Sequence, residues 1–199
     1  MALLVERKGI NIGYANRELE SKLEIFGKSL EEVNALLHNL FEEDSHKSLF
    51  GSSIDTYWTV HNSEAEADFI RMRERDGIRQ ITVKGKDRDS NLDRMEIDID
   101  STSDVSTITK LLTAVHGKPS GKVNKTYYVY WLGTGKHTTV CCYEVTDPIG
   151  GVYIEVETTS SDKMLALEAK VLDTFRRQDI RIERASGSLY EMYILGQKE

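Results

Sequence analysis

The sequence predicts an α+β protein in which about eight antiparallel strands are covered by three amphipathic helices, with a barrel as one way of closing the sheet. Three observations predict it. Apolar residues recur at helical spacing in three stretches only. Most of the remaining chain alternates apolar and polar with period two, the pattern of a strand with one buried face. Between these runs stand Asp76-Gly77, Asp89-Ser90-Asn91, Gly133-Thr134-Gly135 and Gly150-Gly151, whose residues tolerate tight turns. A length of 199 residues suits a single domain.

In chain order, residues 1–17 fit no element and are read as an N-terminal arm ahead of one domain spanning 18–199. Strand 18–26 sets Glu18, Glu20, Lys22 and Glu24 opposite Leu19, Ser21, Leu23 and Ile25. Helix 29–40 follows: Ser29 and Glu32 make a capping-box pattern, and Leu30, Val33, Leu37 and Leu40 form its stripe. After strand 54–61, strand 68–75 places Arg71 and Arg73 opposite Ile70 and Met72. Strand 78–86 sets Thr82, Lys84 and Lys86 against Ile81 and Val83. Strand 92–99 sets Arg94, Glu96 and Asp98 against Met95, Ile97 and Ile99. Helix 103–116 aligns Val105, Ile108, Leu112 and Val115. Strands 122–132, 137–146 and 151–158 come next, the last with Glu155 and Glu157 opposite Ile154 and Val156. Helix 162–176 aligns Met164, Leu167, Val171 and Phe175.

Composition narrows the function. A net charge of −7 argues against coating a nucleic-acid duplex, which needs a basic footprint, and against an anionic membrane surface. No apolar run reaches the roughly eighteen residues of a membrane span. Cys141 and Cys142 are adjacent, make a poor disulfide pair in a strand, and point to a reducing, cytoplasmic setting. The five histidines show no metal-ligand spacing. A P-loop and a nucleophile elbow are both missing from the sequence.

Charges at i and i+2 recur on five strands. One reading is a solvated sheet face, the ordinary fate of a half-buried antiparallel sheet. The other is an enclosed charged face, with the apolar faces turned outward under the helices. Clustered carboxylates then call for a hard divalent cation, and clustered Arg and Lys call for a chain of phosphates. Tyr127, Tyr128, Tyr130 and Trp131 suit core and outer packing, with Tyr127 facing the charged side. Arg176, Arg177, Arg181 and Arg184 are either a solvated helix end or a cationic mouth.

An ordered series of motifs resembles the CYTH superfamily, the triphosphate tunnel metalloenzymes. Glu18-Leu19-Glu20-Ser21-Lys22 matches its E-x-E-x-K signature. Asp55-Thr56-Tyr57-Trp58 is similar to its second strand, Phe69-Ile70-Arg71-Met72-Arg73 to its L-R-I-R strand, and Ile81-Thr82-Val83-Lys84-Gly85 to its T-x-K-G strand. Arg94-Met95-Glu96 resembles R-x-E, Val152 to Glu157 resembles F-x-E-I-E, and Ser188 to Met192 resembles a terminal S-Y-x-E-L.

The resemblance implies an eight-stranded antiparallel barrel, a tunnel that binds a triphosphate with Mg2+ or Mn2+. Carried over by position, Glu18, Glu20, Glu155 and Glu157 are metal-linked carboxylates. Lys22, Arg71, Arg73, Lys84, Arg94 and Lys125 grip phosphates, Glu96 adds an acidic wall residue, and Glu18, Glu20 and Lys22 form the catalytic set. Two positions depart from the pattern. Lys125-Thr126-Tyr127 stands where the family commonly has K-x-R, and Cys142-Tyr143-Glu144-Val145 stands where an Asp is common. Either Glu144 replaces that carboxylate or the carboxylate is absent.

The expected activity is metal-dependent hydrolysis of a triphosphate-bearing small molecule such as ATP, thiamine triphosphate or inorganic triphosphate. The alternatives are cyclisation of ATP, as in class IV adenylyl cyclases, and sequestration of a nucleotide or cyclic nucleotide without turnover. A homodimer is left open.

Overall fold

Alternation along the strands leaves one apolar face on each, and three helices cover those faces. The computed structural model describes residues 16–60, 67–85, 93–133, 138–148 and 150–195. The strands are β1 (Asn16–Ile25), β2 (Ser45–Val60), β3 (Ala67–Arg75), β4 (Ile78–Gly85), β5 (Asp93–Ser101), β6 (Gly117–Leu132), β7 (Thr138–Asp147), β8 (Val152–Thr158) and β9 (Ile182–Arg184). The helices are α1 (Leu30–Phe41), α2 (Val105–Ala114) and α3 (Ser161–Arg176), with a final π-helical turn at Glu191–Leu195.

The expected α+β class holds, but among the described residues the antiparallel sheet has nine strands rather than eight. Its order is β5-β4-β3-β2-β6-β7-β8-β1-β9, and β5 also pairs with β1. On one side β1 lies along β8, from Leu19↔Thr158 to Ile25↔Val152. On the other it meets β5 over Asn16–Leu19 and β9 over Leu23–Ile25.

The expected β2 starts at residue 54 and the observed one at Ser45; β6 likewise starts at Gly117 rather than 122. Each extension pairs with the expected part of the other strand (Leu49↔Val129, Trp58↔Pro119), so tertiary pairing extends both strands through Ser, Gly and Pro residues that weaken a local strand signal. Of the expected N-terminal arm, Asn16 and Arg17 open β1, and residues 1–15 lie outside the described residues.

Each helix begins where a side chain satisfies its first amides. Ser29 accepts from the Glu32 amide while the Glu32 carboxylate accepts from the Ser29 amide, the expected capping box. Asp104 caps α2 and Ser160 caps α3 in the same manner. Leu30, Val33, Leu37 and Phe41 of α1 pack with Met164, Val171 and Phe175 of α3 in a core that also takes in Leu23, Ile154 and Val156. α2 buries Ile108 and Leu112 against Trp58, Ile70, Met72 and Ile81. Val115, expected on that stripe, is the C-cap residue and is exposed. Among the described residues no helix is long and apolar enough to cross a membrane.

Turn chemistry sets the β3–β4 hairpin. Arg75 pairs with Ile78, which leaves Asp76 and Gly77 as a two-residue loop with φ of 49° and 74°. Both values lie in the left-handed region that Asp-Gly adopts in such hairpins.

A second constraint concerns Gly51, which pairs with Tyr127. A Cβ at Gly51 would lie 2.7 Å from the Tyr127 hydroxyl oxygen and 2.8 Å from its Cζ. The glycine therefore makes room for a buried ring on the neighbouring strand. Gly51→Ala should destabilise the fold by about 1–3 kcal/mol in urea unfolding, the usual cost of overpacking. In a Tyr127→Leu background the same alanine should cost much less.

Candidate functional site

The sheet faces turned away from the helices carry the charge. Period-two alternation puts Glu20 and Lys22 of β1, Arg71 and Arg73 of β3, Lys84 of β4, Lys125 of β6, and Glu155 and Glu157 of β8 around one cavity of about 270 Å³. Eight residues singled out in the sequence thus meet in one place.

Opposite charges interlock there. Lys22 Nζ lies 2.9 Å from a carboxylate oxygen of Glu20 and 2.9 Å from one of Glu155. Lys84 Nζ is 3.4 Å from the other Glu20 oxygen. Glu157 stands directly across from Glu20 in the β1–β8 register and accepts a hydrogen bond from Thr139 Oγ1 at 2.9 Å. Burial alone would raise the Glu155 carboxyl, but the Lys22 ammonium, aided by Lys125, holds it below the usual range. Burial opposes the charge on Lys22 too, and Glu155 with Glu20 outweighs it, so the ammonium is held well above the ordinary lysine value.

Behind this layer lies Asp55, fully buried on β2. Arg73 donates to both of its oxygens, Nε and Nη2 each at 2.8 Å, and Lys125 Nζ lies 3.4 Å away. Burial would raise the Asp55 carboxyl, yet Arg73 and Lys125 together drive it far below the ordinary range. Lys125 shifts in the opposite sense to a simple ion-pair partner. Burial, and then the charge of Arg73, lowers its pKa by more than Asp55 raises it. One carboxylate thus pairs with two cations. Arg71 Nη2 donates to Thr82 Oγ1 at 3.1 Å, and Thr82 donates in turn to Asp98 at 2.6 Å.

For three expected site residues the backbone register is known and the side chains lie outside those described. Glu18 pairs with Arg94 across β1 and β5, and Glu96 pairs with Lys84 across β5 and β4. Lys86 lies outside the described residues.

The two motif departures resolve differently. Glu144 does not replace the missing carboxylate, because it shares a β7 face with the buried Val140 and Cys142 of the helix-side core. Tyr143 takes the cavity side instead. Its hydroxyl donates to Glu155 at 2.8 Å, and its ring lies beneath Lys125 at 4.7 Å. Tyr127 lies on the same side of the sheet but over Gly51, and it is not among the residues lining the cavity. Tyr130 packs into the opposite core and donates to Asn34 Oδ1 at 2.6 Å.

Sequence reasoning gave Asp55 no role, although alternation puts it on one face with Tyr57, which also lines the cavity. It also missed how the chain's last segment takes part. Arg184, Ala185, Gly187, Ser188, Leu189 and Tyr190 line the cavity. The Ser188 amide donates to Glu191 at 2.7 Å, and the Glu191 amide donates back to Ser188 Oγ at 3.2 Å. The motif at 188–192 is thus a capping box that starts the final turn. Of the four arginines read as a helix end or a mouth, Arg184 adjoins the cavity but turns its guanidinium to Glu168 of α3 at 2.7 and 3.1 Å, while Arg181 stacks on Phe26 and pairs with Glu183 at 2.9 Å.

Metal-type donors are present as hard oxygens: Glu20, Glu155 and Glu157 suit Mg2+ or Mn2+ by chemistry. Among the described residues no three such donors are gathered closely enough to hold an ion by themselves. A triphosphate, with its own oxygen donors, would complete such a set.

No family model matches the chain, and no curated relative matches its sequence. Solved structures do match its fold. A Hippeastrum protein, described as a candidate adenylyl cyclase with a dominant triphosphatase activity, superposes with a TM-score of 0.62 at 16% identity, over 90% of this chain and 96% of its own. A candidate adenylate cyclase from Vibrio parahaemolyticus gives 0.62 at 16%, over 92% and 99%. A protein from Pyrococcus horikoshii gives 0.60 at 23%, also over 92% and 99%. The chain thus shares the fold of these proteins over most of its length.

Asp55→Asn removes the carboxylate that Arg73 and Lys125 share, and should cost about 3–5 kcal/mol in denaturant unfolding, the scale of breaking a buried ion pair. The acid dependence follows from the depressed carboxyl. The stabilisation is complete above the ordinary value of 3.8 and is lost as pH falls toward the lower folded-state value. The gap between wild type and variant should therefore narrow below pH 3.8, measured by thermal unfolding across an acid series.

Proposed function

We propose that this chain is a divalent-metal-dependent enzyme that hydrolyses a triphosphate-bearing small molecule. The observation that carries it is the convergence of Lys22, Arg71, Arg73, Lys84 and Lys125 with Glu20, Glu155 and Glu157 on one cavity. In this reading eight strands wrap as a tunnel, and the short β1–β5 pairing is the seam that supports it. The neighbours described as adenylyl cyclases or as a triphosphatase support the same class of substrate.

The cationic side chains bind the phosphates and neutralise the charge that spreads over the phosphoryl oxygens in the transition state. Arg73 and Lys125 act from positions fixed by Asp55, so little reorganisation opposes them. Lys22 keeps Glu155 ionised and bridges it to Glu20. Mg2+ or Mn2+, held by Glu20, Glu155 and Glu157 and by Glu18 of the motif, would polarise a phosphoryl oxygen when bound. Glu20 orients the attacking water and takes its proton. The water oxygen bonds to the terminal phosphorus, the bond to the bridging oxygen breaks, and that electron pair leaves with the departing diphosphate.

Binding without turnover is the second reading, and Tyr143 favours it, since a phenol stands where the family commonly has an Asp on the cavity side. A turnover assay with Mg2+ or Mn2+ and a panel of triphosphates, read for orthophosphate, pyrophosphate and cyclic products, decides between them. Glu20→Gln and Arg73→Ala should each lower turnover at least about 100-fold, the scale of losing one electrostatic anchor. Near-normal turnover in both variants would remove these residues from the mechanism. Calorimetric binding of ATP or a cyclic nucleotide with no product would establish the second reading.

A further inference from the structure

Arg71 is one of the cations at the cavity, and its neighbours on β4 and β5 bear on where its guanidinium is held. Arg71 stands directly across from Thr82, and Thr82 directly across from Asp98. Such cross-strand partners share one face of the sheet and lie within reach of each other. Arg71 Nη2 is 3.1 Å from Thr82 Oγ1, and Thr82 Oγ1 is 2.6 Å from a carboxylate oxygen of Asp98. Thr82 is fully buried and is not among the described residues that line the cavity, whereas Arg71 is.

Chemistry fixes the direction of both bonds. A guanidinium only donates and a carboxylate only accepts, so the threonine hydroxyl accepts from Arg71 and gives its single hydrogen to Asp98. The bond to Asp98 is short, as charge-assisted bonds are, and it polarises the hydroxyl into a better acceptor. Along this chain of bonds the Asp98 charge stays one hydroxyl away from the guanidinium. Arg73 is held differently, by both oxygens of Asp55 in direct contact. A hydroxyl orients a guanidinium without neutralising it. Valine suits a buried strand position as well as threonine does, so the strand itself does not call for this oxygen.

We infer that Thr82 is a positioning residue for phosphate binding: its hydroxyl, oriented by Asp98, holds the Arg71 guanidinium at the cavity. The inference rests on the triphosphate reading given above and adds to it a residue that acts through Arg71.

The test is calorimetric binding of inorganic triphosphate to the full chain with Mg2+, each variant first confirmed folded by thermal unfolding. Thr82→Val should weaken binding about 10-fold, the scale of one hydrogen bond to a charged group. Thr82→Ser, which keeps the oxygen, should restore most of the affinity. In an Arg71→Ala background, Thr82→Val should change the affinity by less than about 2-fold, because the hydroxyl acts only through the arginine. A role in stability alone would not depend on Arg71. If Thr82→Val does not fold, Thr82→Ser and Thr82→Cys make the same comparison one atom apart, since a thiol is only a weak hydrogen-bonding group. Wild-type affinity in the variant that lacks the oxygen, an equal loss in Thr82→Ser, or a loss that persists undiminished in Arg71→Ala overturns the inference and leaves the triphosphate reading standing. Failure of the wild-type chain to bind inorganic triphosphate, ATP or thiamine triphosphate overturns both.

Discussion

Five cations around one small cavity repel each other, and removing them from water adds to that cost. The protein meets both costs with carboxylates placed among them. Asp55 is the most consequential, because it is fully buried and joins Arg73 to Lys125 across the β2–β3 and β2–β6 pairings. Glu20 and Glu155 do the same for Lys22 and Lys84 at the cavity wall. Removing one acidic partner would leave a buried charge uncompensated, which is far more costly than losing a surface ion pair. The cations are thus held in place by acidic partners within the fold itself.

That arrangement depends on a strict separation of the sheet's two sides. Ile70 and Met72 pack on α2 while Arg71 and Arg73 reach the cavity, and Ile154 and Val156 join the α1–α3 core while Glu155 and Glu157 do not. A one-residue slip in any of these strands would exchange the two sets. Strong apolar burial on the helix side therefore fixes the placement of every charge on the other.

Much of this was legible in the sequence because strand alternation depends only on neighbours. Arg71 with Arg73, and Glu155 with Glu157, could be assigned to a common face from spacing alone. The same rule puts Glu144 on one face with Val140 and Cys142. What spacing could not show was depth or partnership. Asp55 is an ordinary acidic residue until β3 and β6 are seen to flank it with Arg73 and Lys125. Tyr127 lies on the expected side, yet its position is set by the space over Gly51, a cross-strand fact. β9 has only three residues and exists because β1 offers it an edge. Ser188 to Met192 stood out as a motif, whereas its capping box and its place at the cavity emerged only in the fold.

The topology of β1 also constrains the order in which the site can assemble. Its pairings with β8 and β9 join residues near 20 to residues beyond 150 and 180, and Ala185 to Tyr190 complete the cavity wall. During synthesis β1 emerges early and waits for partners that come more than a hundred residues later. Hairpins such as β3–β4 can form locally, but Glu20 and Lys22 have no facing strand until most of the chain has been made. Such long-range pairing is slow because loop closure comes before the contacts that reward it. The cavity is therefore complete only once β8, β9 and residues 185–190 have joined β1.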